Sequence, residues 1–195
     1  MEGSTIVLII IAVVVVLMAA YGIVIYNRLV ALKHNVSKAW SNIDVLLKQR
    51  HDELPKLVET CKQYMGYEQE TLQQVMKARA EVQSARERGD VRDLGRAESG
   101  LRMGLGNLFA VAEAYPDLKA DQTFQHLQSR ISSLESSIAD RREFYNESVN
   151  QNNIRIEQLP DVIIANWAGF NSFDLLEFDE EEKADVNLGQ LFGSA

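Results

Sequence analysis

One cysteine, Cys61, among 195 residues leaves the chain without an internal disulfide or a cysteine-based metal site, since each needs at least two thiolates. Three prolines and eleven glycines are too few for an all-β or low-complexity chain. Histidine is equally sparse: His34, His51 and His126 share no ligand spacing, with no H-E-x-x-H and no Glu-x-x-His pair of the kind that holds di-iron centres in helical bundles. A basic face is missing as well. The formal net charge is -8, and with the acidic stretch 174–195 set aside the rest is nearly neutral. That excludes nucleic acid as a partner, because phosphate must be offset by clustered Lys and Arg. Arg88-Gly89-Asp90 and Leu94-Gly95-Arg96 lack the setting of a phosphate-binding loop, and no Ser-His-Asp elbow is found. The chain is therefore read as non-enzymatic, with no catalytic, metal-binding or cofactor-binding residue.

What the chain has in excess is apolar length at one end. Ile6 to Tyr26 is 21 residues without a charge, and at about 1.5 Å per residue it reaches across the roughly 30 Å of a hydrocarbon core. The five residues before it include Glu2 and no Lys or Arg, so the basic leader of a secretory signal is absent. A transmembrane helix is expected over 6–26, with Ile6, Leu8, Val14, Leu17, Tyr21 and Tyr26 as span residues against membrane lipid. Tyr21 and Tyr26 suit the interfacial belt, although Tyr21 fits equally against a neighbouring span. Arg28, Lys33 and Lys38 follow the span, and basic flanks collect on the cytoplasmic side. Residues 1–5 are thus expected outside and the body inside.

Ala, Leu, Glu, Gln and Arg dominate residues 28–158, the composition of helices. Leu29, Leu32, Val36, Ala39 or Trp40, Ile43 and Leu46 keep the alternating 3-4 spacing of one helical stripe, and no Gly or Pro separates them from the span. The first break is expected at His51-Asp-Glu-Leu-Pro55, with Pro55 in the first turn of a second helix. That helix would fray near Arg88-Gly89-Asp90, a third would carry Leu94, Ala97, Leu101, Leu105 and Leu108 to Pro116, and a fourth would run from about Ala120 to Pro160. The predicted fold is all-α: a single N-terminal transmembrane helix continuing into an antiparallel up-and-down helical bundle, a cytoplasmic four-helix bundle over 27–158. Residues 159–195 follow as an apolar and then acidic segment. A second helix of about 34 residues would overrun the roughly 23 cytoplasmic residues of the first, which predicts tilt, a bend near Gly66, or splaying along the membrane.

Two stretches are candidate interaction surfaces. Gly100 and Gly104, with Gly95 and Gly106, would let another backbone approach the third helix, whether inside the bundle, at a subunit contact or around a ligand, and each interior Gly costs about 1 kcal/mol relative to Ala. Val162 to Phe170, with Phe173, Leu175, Leu176 and Phe178, carries more apolar bulk than a solvated tail. Trp167, Phe170, Phe173, Leu176 and Phe178 could cap the bundle, pack on a neighbouring subunit or partner, or dip into the membrane interface. Arg86, Arg88, Arg92 and Arg96 cluster around the turn between the second and third helices, where they could touch anionic lipid or be cancelled by Glu87, Asp90, Asp93 and Glu98 in ordinary intrahelical ion pairs.

Tyr26-Asn-Arg-Leu-Val30, Trp40-Ser-Asn-Ile-Asp-Val45, Leu47-Lys-Gln-Arg50 and Asp52-Glu-Leu-Pro-Lys-Leu-Val-Glu-Thr60 form an ordered run. With Tyr115-Pro-Asp-Leu-Lys-Ala120, Arg141-Arg-Glu-Phe-Tyr-Asn-Glu-Ser-Val149 and Leu159-Pro160, it resembles the LemA family of bacterial membrane proteins over residues 1 to about 170. The resemblance implies a short exterior N-terminus, one span and a cytoplasmic antiparallel helical domain in the bacterial inner membrane. One branch of the family is associated with magnetosome membrane formation, which points to membrane organisation. The functional expectation is a homo-oligomeric membrane scaffold. Its alternative is a membrane-tethered adaptor or regulator that binds a cytoplasmic protein partner, with the acidic tail as the candidate contact.

Overall fold

The computed structural model of the chain describes residues 2–177. Among the described residues there is no strand, and the helices follow in the order α1 (Glu2–Lys62), α2 (Gln69–Arg88), α3 (Val91–Ala112), α4 (Pro116–Ala120), α5 (Gln122–Glu157) and α6 (Asp161–Ala168). They gather into two compact units. One holds the described residues up to Asn42 together with Glu143–Phe173; the other holds Ile43–Arg142 and the described residues from Asp174 onward.

In the first unit, α1 begins as the one described helix long and apolar enough to cross a membrane. Farther along, Ile25, Leu29, Val36 and Ala39 of α1 are buried, as are Tyr145, Val149, Asn152 and Ile156 of α5. Both sets are spaced by three, four or seven residues, which puts each on one face of its helix. The α6 helix closes this unit.

In the second unit the buried positions of α1 are Ile43, Leu47, Arg50, Leu54, Leu57, Val58 and Cys61, a single stripe with one charged member. Those of α3 are Leu94, Gly95, Glu98, Leu101, Gly104, Leu105, Leu108 and Ala112, and Phe124, Leu127, Ile131, Leu134 and Ile138 supply the stripe of α5. The α2 and α3 helices form a tight hairpin. Gly89 ends α2 in the left-handed region at φ 68, and the Asp90 side chain caps α3 by accepting from the amides of Arg92 and Asp93. A glycine at the end of one helix beside an aspartate at the start of the next satisfies free carbonyls and amides within a two-residue turn.

The expected break at Pro55 does not occur. An interior proline removes the amide that would bond the carbonyl four residues earlier, here that of His51. Arg79 Nε donates to that carbonyl instead, at 3.0 Å. With the lost bond replaced and Leu54, Leu57, Val58 and Cys61 buried on both sides of the proline, α1 continues to Lys62. It ends where Tyr64 and Met65 both donate to the Cys61 carbonyl, just ahead of Gly66. The expected conflict of lengths disappears with it, since α2 has only 20 residues.

Candidate functional site

The span residues Ile6, Leu8, Val14, Leu17, Tyr21 and Tyr26 are all exposed, so among the described residues α1 offers an uncovered apolar wall. The wall ends in a small core. Ile25 and Leu29 are buried with Ile156 of α5 and Ala165 of α6, and Ile164 and Phe170 pack against them. The Tyr26 ring meets Phe170 edge-on with centroids 5.8 Å apart. Gly22 lies under Ile164, whose terminal methyl would be 3.7 Å from a Cβ added there.

Polar contacts hold the rest of this unit's C-terminal segment. The Asn153 amide donates to the Phe173 carbonyl at 2.9 Å and accepts from its N–H at 3.0 Å, a two-point clip on the backbone. Asn152 donates to the Asn171 carbonyl. Buried Asp161, at the start of α6, is ion-paired to Arg155. Trp40 packs on Tyr145 at 5.4 Å. An open groove of about 490 Å³ is lined by Arg28, Ala31, Leu32, Gln151, Ile154 and Arg155, nearly all of it apolar carbon.

The second unit has a charged centre. Arg50 and Glu98 are 1% and 2% exposed, and Glu135 is 24% exposed. Arg50 Nη2 donates to both carboxylate oxygens of Glu98 at 2.5 and 2.6 Å, while Nη1 donates to Glu135 Oε1 at 2.6 Å. Burial works against the Arg50 charge, but the two carboxylates outweigh it and hold the guanidinium protonated. Burial pushes the Glu98 carboxyl up, against the pull of Arg50. Two more contacts extend the pattern: Arg86 bonds both oxygens of Asp44, and Arg130 pairs with Glu53 at 3.0 Å. The hydrogen bonds from Arg86 hold the Asp44 carboxyl below the usual range.

This centre has the ingredients of a shifted acid but no access for a substrate, because Glu98 is sealed from solvent and saturated by Arg50. It ties α1, α3 and α5 to one another in this unit. Cys61 is buried, and burial raises its thiol to about 11, so it stays protonated and unreactive. An open pocket of about 450 Å³ beside the α1–α2 loop has Lys62, Gln69 and Gln73 among apolar neighbours such as Val58, Leu72 and Met76. Among the described residues no carboxylate or imidazole joins them there.

The small-residue stripe of α3 divides. Gly95 presses so closely on the Glu177 carbonyl that an added Cβ would lie 1.9 Å from its oxygen, and Gly104 is buried beside Val75. Gly100 and Gly106 face open space. The apolar C-terminal segment divides too. Phe170 and Phe173 are half-buried in the first unit, Leu176 is buried in the second, and Trp167 is 83% exposed. Phe178 lies outside the described residues, as does most of the acidic stretch. The arginine cluster is paired, partly at long range: Arg86 to Asp44, Arg88 and Arg96 to Asp93, and Arg92 to Asp174.

Glu98 corrects the sequence reading, which gave it to intrahelical pairing with the arginine cluster and put Ala97 on the α3 stripe; it pairs with Arg50 of α1 instead. Its signal was present in the spacing: Leu94, Glu98, Leu101, Leu105 and Leu108 keep the 3-4 rhythm, as Leu47, Arg50 and Leu54 do on α1. A basic residue in one core stripe and an acidic one in another are candidates for a buried pair.

The LemA family model matches residues 39–189. Magnetosome proteins MamQ 2 and MamQ 1 of Paramagnetospirillum magneticum are each 26% identical to the chain, over 86% of it and 70% of each relative. Magnetosome protein MamQ of Magnetospirillum gryphiswaldense is 23% identical, over 84% of the chain and 68% of the relative. The matched stretch contains Trp40 and Tyr145, Asp44 and Arg86, the Arg50–Glu98–Glu135 centre, and Pro55 with Arg79. With most of its length under that model, the chain belongs to the LemA family.

Proposed function

We propose that this protein is a non-enzymatic scaffold that assembles with copies of itself in the bacterial cytoplasmic membrane, its N-terminus outside and its helical body in the cytoplasm. The observation that carries the reading is the core at the end of the apolar wall. A tether would leave lipid through a free linker, whereas here Ile25 and Leu29 are buried against α5 and α6. An anchor packed in this way holds its unit at a fixed angle to the bilayer. Copies confined to one membrane plane at a common angle gain effective concentration without a large contact. The magnetosome names of the MamQ relatives support a role in membrane organisation, and Arg28, Lys33 and Lys38 support the inward orientation.

Cross-linking in cells tests the proposal. Ladders of self-adducts, present with the unaltered chain but abolished when a Gly-Ser linker is inserted after Tyr26, are expected. A dominant adduct with another protein that disappears on deleting residues 178–195 would refute self-assembly in favour of an adaptor. Reagent access to a cysteine placed at residue 3 from outside the cell, and to one at Lys38 only after permeabilisation, is the expected orientation result.

A further inference from the structure

The α6 helix has two apolar faces, and only one is covered. Ala165, Ile164 and the following Phe170 turn toward α1 and α5, while Leu159, just before the helix, Ile163 and Trp167 are 80%, 63% and 83% exposed. Ile163 and Trp167, spaced by four, share one strip along a side of the helix, and the exposed Leu159 stands just ahead of it. A tryptophan and two large aliphatics so exposed on one short helix need an occupant.

The position of α6 along α1 identifies it. Its contacts run from Gly22 to Leu29. With the hydrocarbon core starting at Ile6, a roughly 30 Å thickness ends near Tyr26. The contacts therefore straddle the boundary, from about 6 Å inside it to about 4 Å beyond. At the same level α1 itself exposes Tyr21, Ile23 and Val24, so the strip continues the lipid-facing wall sideways. Arg28 is exposed one step beyond, at the rim of the groove shared with Gln151 and Arg155, the depth of lipid phosphates. Tryptophan beside aliphatic residues favours this boundary, with the ring in the acyl region and the indole N–H among headgroups.

We propose that α6 is an interfacial membrane helix, seated in the boundary between headgroups and acyl chains with Leu159, Ile163 and Trp167 inserted. This rests on residues 6–26 spanning the bilayer. It adds a second membrane contact, made by the C-terminal part of the chain, that restrains the rotation and tilt of the span.

Trp167 is its own reporter, since the only other tryptophan, Trp40, can be replaced as Trp40→Phe. The full chain with this change is reconstituted in vesicles of phosphatidylcholine and phosphatidylglycerol carrying bromine either at the top of the acyl chain or near its end. The expected result is blue-shifted emission, stronger quenching by the shallow bromine than by the deep one, and little quenching by aqueous acrylamide. Adding Leu159→Asn and Ile163→Asn, both at exposed positions, should shift emission to the red and restore acrylamide access. Free acrylamide access with no lipid quenching would overturn the proposal. So would blue-shifted emission that no lipid bromine quenches and that fades on dilution with lipid, the signature of a second copy covering the strip. Resistance to alkaline carbonate extraction, read on the same vesicles, reports the span separately. Extraction would remove the reading of residues 6–26, while retention without lipid quenching would remove only the role of α6.

Discussion

Replacing Arg50 by Met should be among the most damaging single changes in this protein. The guanidinium is 1% exposed and bonds three carboxylate oxygens of Glu98 and Glu135. Methionine fills most of its volume but leaves Glu98 buried without a counter-charge. Removing one partner of a buried ion pair costs about 3–5 kcal/mol, and at about 2–4 °C per kcal/mol for a chain of this size the midpoint of thermal unfolding should fall by roughly 6–20 °C. The sign of the pH dependence follows from Glu98. Its carboxyl already sits above the ordinary 4.5 through burial, and Arg50 is what pulls it down. Without Arg50 the folded variant binds more protons than the unfolded chain above that value, so its stability relative to the parent falls as pH rises. The deficit should be smallest near pH 4.5 and grow toward neutrality. The assay is thermal or urea unfolding of the full chain in detergent, followed by circular dichroism at several pH values. The triple change Arg50→Met, Glu98→Leu and Glu135→Leu should recover to within about 1 kcal/mol of the parent, because well-packed apolar replacements of buried ion pairs are close to neutral. A loss for Arg50→Met below about 1 kcal/mol, or one independent of pH, would refute the account.

Other positions give sharper contrasts. Gly100→Ala, in open space on an exposed helix face, should stabilise by up to about 1 kcal/mol. Gly95→Ala must displace the Glu177 carbonyl and should destabilise by about 1–3 kcal/mol while exposing the chain to cleavage after Glu177, read by limited proteolysis. Arg79→Met leaves the His51 carbonyl without its donor and should cost about 1–3 kcal/mol. The cost should shrink in a Pro55→Ala background, where the new amide takes that carbonyl, and a double-mutant cycle showing additivity would contradict the reading. With its thiol moved from 9.0 to about 11, Cys61 should hold about 100-fold less thiolate than an ordinary cysteine near neutral pH. Maleimide labelling should be correspondingly slow in the folded protein and rapid in urea.

Much of this molecule was legible in its sequence, because the controlling physics is local. An uncharged apolar run long enough for a bilayer, helical composition throughout and stripes of 3-4 spacing specify an all-helical chain with a span-length apolar segment. Gly89 with Asp90 and Pro116 mark helix ends through groups within one turn of each other. Beyond that reach the tertiary structure decides. Pro55 breaks a helix by local rules, yet α1 passes through it because Arg79, 24 residues away, supplies the missing donor. Arg50 and Glu98 each fall on a helical stripe, but only the packing of distant segments encloses them as a pair. Gly95 and Gly100 are alike in a helical stripe, and only the path of the C-terminal segment makes one a close contact and leaves the other open. The same holds for α6, whose apolar residues were plain but whose division into a covered and an uncovered face depends on where α1 and α5 meet it. Burial is a property of the whole chain: one turn of sequence can announce a need for it, and only the packed structure says what meets that need.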